Sequence, residues 1–331
     1  MTQRLKIFLA QMNPIGGDIE GNFNKLHLAW KRASKVNADI FVAPEMFLSG
    51  YPIDDLVLRQ DFISKIDKCI KNLAKLTANG PAIIVGAPRN EEGVLRNSAV
   101  IMDEGKILGY RDKSKLPNED EFYDNRQFMP GELPGPILLR GIRFGIPICQ
   151  DIWDPEVCEC LKESGAEIII SINGSPYNLY KMEKRVNTVV SRAVENEIPF
   201  IYLNMVGGQD ELIFDGGSFA VNQNGSLVCQ LPMFETFDGV IEVKNKSASW
   251  ELNSKNLFKD QSSYESLYSA ILLSLRDNIY KNGFTKVVFG LSGGKDSALA
   301  AALSVDAIGY ENVNCFMLPS KFTSQLSLIH I

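Results

Sequence analysis

The stretch Gly145-Ile-Pro-Ile-Cys149-Gln-Asp151-Ile-Trp153 is an apolar run that ends in a cysteine followed by polar residues. This pattern predicts a buried strand that presents Cys149 at its carboxyl end, where open α/β sheets keep their chemistry. Most cysteines of intracellular proteins are small buried hydrophobic residues, so Cys149 alone does not indicate a nucleophile. Its role has to be decided by residues elsewhere in the chain.

On both sides of this stretch, short strands alternate with helices and hairpins as far as residue 245. The apolar strands show little alternation, which is typical of sheets covered on both faces. The pattern predicts the α/β class, with mixed sheets in a sandwich. The predicted elements are strands over 6–11, 39–45, 81–88, 167–173 and 200–204, helices over 22–36, 61–76, 155–164 and 181–196, and hairpins over 97–110 and 219–230.

Composition excludes several classes of protein. The net charge of -6 and the pI near 5.2 provide no basic field for nucleic acid, so no nucleic-acid partner is expected. No apolar stretch approaches the roughly 20 residues that span a bilayer, and the N-terminus lacks a signal peptide, so we predict a cytoplasmic protein without a membrane partner. Six cysteines are too few for a disulfide scaffold in a chain of this length, so we predict that they are free thiols. Cys158 and Cys160 have no second cysteine pair or histidine cluster to accompany them, so we predict no metal site.

Glu45, Lys113 and Cys149 each follow a predicted strand and can meet at one sheet edge. Amide hydrolysis by a thiol needs a base for the thiol proton and a cation or donor for the developing oxyanion. A carboxylate, an ammonium group and a thiol meet these needs without histidine. The two histidines, His27 in a predicted helix and His330, are poor candidates for a Cys-His pair.

Over residues 4–243 the chain resembles the nitrilase superfamily, through Ala43-Pro-Glu45, Lys113-Ser-Lys-Leu-Pro117 and Pro147-Ile-Cys149-Gln-Asp151-Ile-Trp153. The resemblance implies an α-β-β-α sandwich in which Cys149 is the nucleophile, Glu45 the general base and Lys113 the group that stabilises the tetrahedral intermediate. It selects Lys113 over Lys115 because the family's lysine stands three residues before the leucine of its Leu-Pro step.

Two further residues take their expected roles from the same resemblance. The backbone N–H of Gln150 would be a second oxyanion donor. Asp124 aligns with a second carboxylate of the family, where a glutamate is usual, and its shorter side chain bears on the positioning of Lys113.

The segment Ser292-Gly-Gly-Lys-Asp-Ser297 lies between a predicted strand, 287–291, and an alanine-rich helix, so backbone N–H groups there would point at an anion. It does not match the Walker A loop, because Phe289 and Asp296 replace the required residues. It resembles the S-G-G-x-D-S loop of ATP pyrophosphatases. This implies the start of a Rossmann-like (adenine nucleotide alpha hydrolase-like) domain whose ATP-binding residues are Ser292, Gly293, Gly294, Lys295, Asp296 and Ser297.

The order of an amidase and an adenylylating domain resembles the family of glutamine-dependent NAD+ synthetases, as do residues 206–219 and 318–324. That family releases ammonia from L-glutamine and uses it to amidate adenylylated deamido-NAD+. The resemblance implies L-glutamine, ATP and deamido-NAD+ as substrates, Mg2+ with ATP, no cofactor for glutamine hydrolysis, and a homo-oligomer. It also places Ser175 and Tyr177 in the glutamine pocket.

The sequence predicts an amidase domain over 1–245, a polar linker over 246–261 and the N-terminal part of a truncated synthetase domain over 262–331. The family's synthetase domain continues well beyond the position at which this chain stops, and the ending Ile329-His330-Ile331 also differs from the family, so a truncation or an altered end is expected. Without the remaining strands and the deamido-NAD+ site, this chain is expected to carry out at most the glutaminase step. Two alternatives stay open at this point: a stand-alone nitrilase-type amidase acting on another small amide, and an inactive fragment that serves as an assembly surface.

Overall fold

The computed structural model describes residues 4–118, 123–246, 249–259, 261–319 and 321. Residues 322–324 of the predicted family match and the Ile329-His330-Ile331 ending lie outside them. In chain order the elements are β1 (Arg4–Gln11), α1 (Ile19–Lys35), β2 (Ile40–Val42), α2 (Gln60–Leu76), β3 (Ala82–Glu91), β4 (Val94–Asp103), β5 (Lys106–Asp112), β6 (Ile137–Leu139), β7 (Ile142–Gly145), α3 (Pro155–Glu163), β8 (Ile168–Asn173), α4 (Lys181–Glu195), β9 (Phe200–Asn204), β10 (Val206–Gln209), β11 (Leu212–Asp215), β12 (Phe219–Val221), β13 (Leu227–Gln230), β14 (Phe237–Lys246), β15 (Ser249–Asn253), α5 (Ser263–Lys281), β16 (Val287–Gly290), α6 (Lys295–Ile308) and β17 (Val313–Phe316).

Two compact units divide the chain, Met1–Val206 with Phe214–Asp260, and Gly207–Ile213 with Gln261–Ile331. The first unit holds a seven-stranded sheet of order β15-β14-β1-β2-β3-β4-β5 and a six-stranded sheet of order β13-β12-β9-β8-β7-β6. Strands β1, β2 and β3 run parallel, as do β7, β8 and β9, and the flanking strands are antiparallel. Both sheets are therefore mixed, which confirms the predicted α/β class.

The two sheets pack face to face through aliphatic side chains from both of them. Ile7 and Ile84 from the first sheet share one core with Ile146, Ile170 and Ile201 from the second. On the outer faces, α2 packs on β3–β5 with α1 beside it, and α3 and α4 cover the six-stranded sheet. This is the predicted α-β-β-α sandwich, and it places the carboxyl ends of the parallel strands at one edge.

The segment predicted to be a linker, 246–261, contains strand β15, which pairs with β14. Trp250 and Leu252 alternate with polar residues and are 7% and 1% exposed, so this part of the segment is a half-buried edge strand. The prediction missed this strand because its two buried side chains alternate with polar residues inside a segment that is polar as a whole. The division into an amidase domain ending near 245 and a synthetase domain from 262 stays a prediction.

In the second unit, β16 and β17 form a parallel two-stranded sheet. Helix α5 begins with Ser262 and Glu265 in a capping box, in which each side chain accepts a hydrogen bond from the other residue's backbone N–H. The small hydrophobic core of the second unit contains Ile279, Ala307 and Ile308. Across the described parts of both units, no helix is long and apolar enough to cross a membrane.

If β15 belongs to the sheet, Leu252→Ala should destabilise the first unit by about 2–5 kcal/mol, because it removes a buried aliphatic side chain. Urea unfolding followed by circular dichroism measures the change. Glu251→Ala, which alters the neighbouring, partly exposed residue and its ion pair with Lys246, is the control and should change stability by less than about 1 kcal/mol. Equal, small effects of both variants would show that the segment is not part of the core.

Candidate active site

Three strand ends bring Glu45, Lys113 and Cys149 together. Glu45 follows β2, Lys113 follows β5 directly, and Cys149 lies beyond β7. The predicted strand does not run unbroken to Cys149: β7 ends at Gly145, Ile148 makes an isolated bridge to β8, and Cys149 begins a short 3-10 helix over Cys149–Ile152. The cysteine is thus presented by a turn of the backbone rather than by the strand itself.

Cys149 has a positive φ of 45°, a conformation that residues other than glycine seldom adopt. Such strained positions cluster at functional sites. Cys149 is partly exposed and lines a cavity of about 330 Å³ together with Lys113, Gln150, Ser175 and residues of α4. N–H groups in the first turn of a helix have no acceptor within that helix, so the N–H of Gln150 belongs to a set of donors available to a ligand.

The carboxylate of Glu45 is fully buried and held by three donors. Its Oε1 accepts hydrogen bonds of 2.8 Å from Asn97 Nδ2 and from Lys113 Nζ. Its Oε2 accepts a 2.7 Å bond from the backbone N–H of Gly174. These bonds compensate the loss of water around the carboxylate and fix its orientation.

Lys113 is 1% exposed, and its Nζ donates to Glu45 Oε1 and to Asp124 Oδ2, each at 2.8 Å. Asp124 also accepts a 2.8 Å hydrogen bond from the Tyr51 hydroxyl. Burial alone would lower the pKa of Lys113, but the two carboxylates outweigh it and raise the pKa above its ordinary value. Asp124, the shorter carboxylate, therefore reaches the lysine. Lys115 pairs at the surface with Asp154 and Glu156.

Burial, followed by the charge of Glu45, raises the pKa of the Cys149 thiol to about 12. The ammonium groups of Lys113 and Lys181 act in the opposite direction but do not cancel this increase. At neutral pH the thiol is therefore protonated, and a base has to remove its proton during any attack on a substrate.

Asp151 ties the loop after Lys113 to the turn at Cys149. Its Oδ1 accepts from the backbone N–H groups of Ser114, at 2.9 Å, and Lys115, at 2.8 Å, and its Oδ2 accepts from Ile148 N–H at 2.8 Å. Burial raises the pKa of Asp151 to about 6, against the effect of these backbone donors. No role was predicted for Asp151 from the sequence. Its position two residues after Cys149 was the signal that could have identified it.

Gly86, on β3, allows the backbone at Glu45 to approach closely. A Cβ built on Gly86 would lie 2.2 Å from Met46 N and 2.5 Å from Glu45 Cα, both backbone atoms that cannot move independently. The glycine therefore sets where Glu45 stands relative to the neighbouring strand.

One side of the cavity wall comes from segment 174–178 and the start of α4. Ser175 and Tyr177, both predicted from the resemblance, line the cavity. Lys181 and Lys184 line it as well and were not predicted. A cation in the first turn of a helix opposes the helix dipole, and this unfavourable placement of Lys181 at the start of α4 was the signal that the sequence offered.

In the second unit, the predicted nucleotide loop joins β16 to the N-terminus of α6. Gly293 has a φ of 79°, and the Oγ atoms of Ser292 and Ser297 lie 3.0 Å apart. Lys295 and Asp296 occupy the exposed first turn of α6. The small residues and free helix start could hold phosphate. Within the described ranges, no cluster of three or more His, Cys, Asp or Glu side chains could hold a metal ion.

The sequence family of the first unit is decided by comparison with known proteins. A family model described as carbon-nitrogen hydrolase matches residues 6–252. The chain belongs to the carbon-nitrogen hydrolase family. A second model, described as NAD synthase, matches residues 267–330. This carbon-nitrogen hydrolase is therefore joined to a region similar to NAD synthases.

Relatives of this carbon-nitrogen hydrolase match it across both regions. It is 39% identical over 328 residues to the glutamine-dependent NAD(+) synthetase of Rhodobacter capsulatus, covering 99% of this chain and 59% of that protein. The corresponding enzyme of Acinetobacter baylyi is 35% identical, covering 98% of this chain and 59% of that one. The two alternatives left open by the sequence are not favoured, because these matches continue beyond the amidase region.

Two solved structures are similar to this chain, one over both regions and one in the fold of the first region. The glutamine-dependent NAD+ synthetase from Acinetobacter baumannii in complex with adenosine diphosphate has a TM-score of 0.93 and 34% identity, covering 99% of this chain and 62% of that one. An amidase from Nesterenkonia sp. at 23% identity, with a TM-score of 0.63 over 74% of this chain and 91% of that one, shares the fold. The chain spans less than two thirds of the length of these three synthetases.

Replacing the buried carboxylate by an amide, in Glu45→Gln, should lower the pKa of the Cys149 thiol. The charge that raises this pKa is removed, while the ammonium of Lys113 remains nearby. The pH dependence of Cys149 alkylation by iodoacetamide, followed by mass spectrometry of its peptide, measures the pKa.

Glu251→Gln, at an exposed carboxylate outside the cavity, is the matched control and should leave the alkylation profile unchanged. A Glu45→Gln profile that coincides with the wild type, or moves to higher pH, would contradict the assigned electrostatics.

Proposed function

We propose that the first unit hydrolyses L-glutamine to glutamate and ammonia through a thioester on Cys149. The observation that carries this proposal is the position of Lys113, whose ammonium bridges Glu45 and Asp124 at 2.8 Å in the wall of the cavity that Cys149 lines. A thiol and a fixed cation line this cavity, and the buried carboxylate of Glu45 is hydrogen-bonded to that cation. A base, a cation and a thiol are the components that thiol-dependent amide hydrolysis requires.

In the proposed mechanism Glu45 accepts the thiol proton as Cys149 Sγ attacks the side-chain carbonyl carbon of glutamine. Lys113 Nζ and the N–H of Gln150 stabilise the oxyanion of the tetrahedral intermediate. Glu45 returns the proton to the leaving nitrogen, and ammonia departs with cleavage of the carbon–nitrogen bond. A water molecule, deprotonated by Glu45, then attacks the thioester, and the carbon–sulfur bond breaks to release glutamate. Glu45 returns the proton to Cys149 Sγ, which restores the thiol.

The positive charge of the cavity wall supports glutamine as the substrate. Lys181 and Lys184 supply positive charge to a wall that could bind the α-carboxylate of an amino acid. We propose Ser175 and Tyr177 as further binding residues. The ring of Tyr177 packs edge-to-face on Phe234, with centroids 5.3 Å apart, which holds it in place.

For the whole protein we propose glutamine-dependent NAD+ synthesis, in which the ammonia amidates adenylylated deamido-NAD+. This rests on the names of relatives that are longer than this chain. Residues Ser292–Ser297 would bind the phosphates of ATP, and Mg2+ would be held chiefly through those phosphates. Glutamine hydrolysis would need no cofactor. A cytoplasmic location agrees with the six free thiols, and we propose a homo-oligomer on the family resemblance.

Glutaminase activity tests the proposal directly. The wild-type chain should release ammonia from L-glutamine in preference to L-asparagine or acetamide, and Cys149→Ala should lower kcat by at least about 10³-fold. Lys113→Met should cost about 10²–10³-fold through loss of the oxyanion partner.

Lys115→Met is the control for Lys113, since it removes a neighbouring, partly exposed ammonium, and should stay within about twofold of the wild type. Preference for an amide other than glutamine would contradict the substrate assignment, and unchanged activity in Cys149→Ala would exclude this mechanism.

Nucleotide binding by the second unit is tested by isothermal titration with ATP and Mg2+. Lys295→Ala removes a cation at the proposed phosphate loop and should raise Kd at least about tenfold, as expected for a charged hydrogen bond. Lys286→Ala, an exposed lysine before β16, is the control. Equal weakening by both variants, or no binding by the wild-type chain, would reject the loop as the ATP site.

A further inference from the structure

Arg185, on α4, is fully buried although it takes no part in the proposed chemistry. Its Nη1 donates to both carboxylate oxygens of Asp215, each at 2.8 Å, and Asp215 is also buried. Burying two charges carries a desolvation penalty that their attraction offsets only in good geometry. The other hydrogen bonds of the guanidinium therefore bear on why this buried pair is present.

The remaining guanidinium nitrogens bind the cavity wall. Arg185 Nη2 donates to the carbonyl oxygens of Ser175, at 2.9 Å, and Pro176, at 2.7 Å, and Nε donates to Ser175 Oγ at 3.2 Å. All three nitrogens are therefore used, two of them on a short segment of backbone. Ser175 and Pro176 line the same cavity as Cys149.

The opposite side of this segment is attached to the catalytic carboxylate. The N–H of Gly174 donates to Glu45 Oε2 at 2.7 Å. Asn204 supports the segment from β9, since Ser175 N–H donates to its Oδ1 at 2.9 Å and its Nδ2 donates to Asp215 Oδ1 at 3.2 Å. The segment 174–176, which we call the wall segment, thus lies between Glu45 and the Arg185–Asp215 pair.

We propose that Arg185 and Asp215 are positioning residues that hold the wall segment in the conformation that binds the amide substrate. This inference rests on the proposed glutaminase function and adds a specificity-determining element to it. The planar guanidinium can bind the carboxylate and two carbonyl groups at once, whereas the ammonium of lysine is a point charge without this fork. Two of the three hydrogen bonds of Glu45 come from Asn97 and Lys113, which lie outside the wall segment. We therefore expect a change in the wall segment to affect substrate binding more than the chemical step.

The test measures KM and kcat for glutamine in Arg185→Lys and in the double variant R185M/D215L, which replaces the ion pair by apolar residues of similar volume. KM should rise at least about tenfold in both variants, while kcat should change by less than about threefold. Alkylation of Cys149 by iodoacetamide should continue at the wild-type rate, because this small reagent does not need the wall segment. Labelling by the glutamine-shaped reagent 6-diazo-5-oxo-L-norleucine should slow by about the same factor as KM rises.

The control is R140M/D103L, which removes another two-point Arg–Asp pair from the same unit. Neither residue lines the cavity, so this variant should keep the wild-type KM. A KM within twofold of the wild type in folded Arg185→Lys or R185M/D215L would overturn the proposal, even if their melting temperatures fell. Wild-type turnover of glutamine is measured first, and its absence would reject the proposed function rather than the role of Arg185 alone.

Discussion

The ion pairs of Lys113 with Glu45 and Asp124 are the interactions on which the candidate site depends. All three side chains are at most 5% exposed, and any one of them alone would be a buried, uncompensated charge. Together they satisfy one another, and Asn97, Tyr51 and Gly174 supply the remaining hydrogen bonds. This arrangement requires segments from the two facing sheets to meet at one edge, so the packing of the sandwich and the geometry of the site are a single structural problem.

The charge balance around Cys149 explains how a reactive thiol can rest in a neutral state. Burial, followed by the charge of Glu45, raises the pKa of the thiol to about 12, and Lys113 opposes this only in part. Under the proposed mechanism, a neutral thiol resists unwanted oxidation and alkylation until a bound amide allows proton transfer to Glu45. In that proposed mechanism, the same carboxylate raises the pKa of the resting thiol and accepts its proton during attack.

Two sets of hydrogen bonds connect the segments that form the candidate site. Asp151 joins the loop after Lys113 to the turn at Cys149, and segment 174–176 joins Glu45 to the Arg185–Asp215 pair. Gly86 admits the backbone of Glu45 where any side chain would collide with it. The candidate catalytic groups are thus held by buried polar contacts from several separate segments of the first unit, and such support is the condition for precise positioning in a functional site.

The sequence by itself determined the α/β class, most strand and helix positions, and Glu45, Lys113 and Cys149 as candidates, because apolar periodicity and short motifs are local properties of the chain. It misread β15, whose two buried side chains stand in a polar segment. Only the tertiary structure decided that Asp124 reaches Lys113, that Lys181 faces the cavity, and that Arg185 holds the wall segment. These contacts join residues distant in sequence, and their distances depend on how the two sheets pack, which no local pattern specifies.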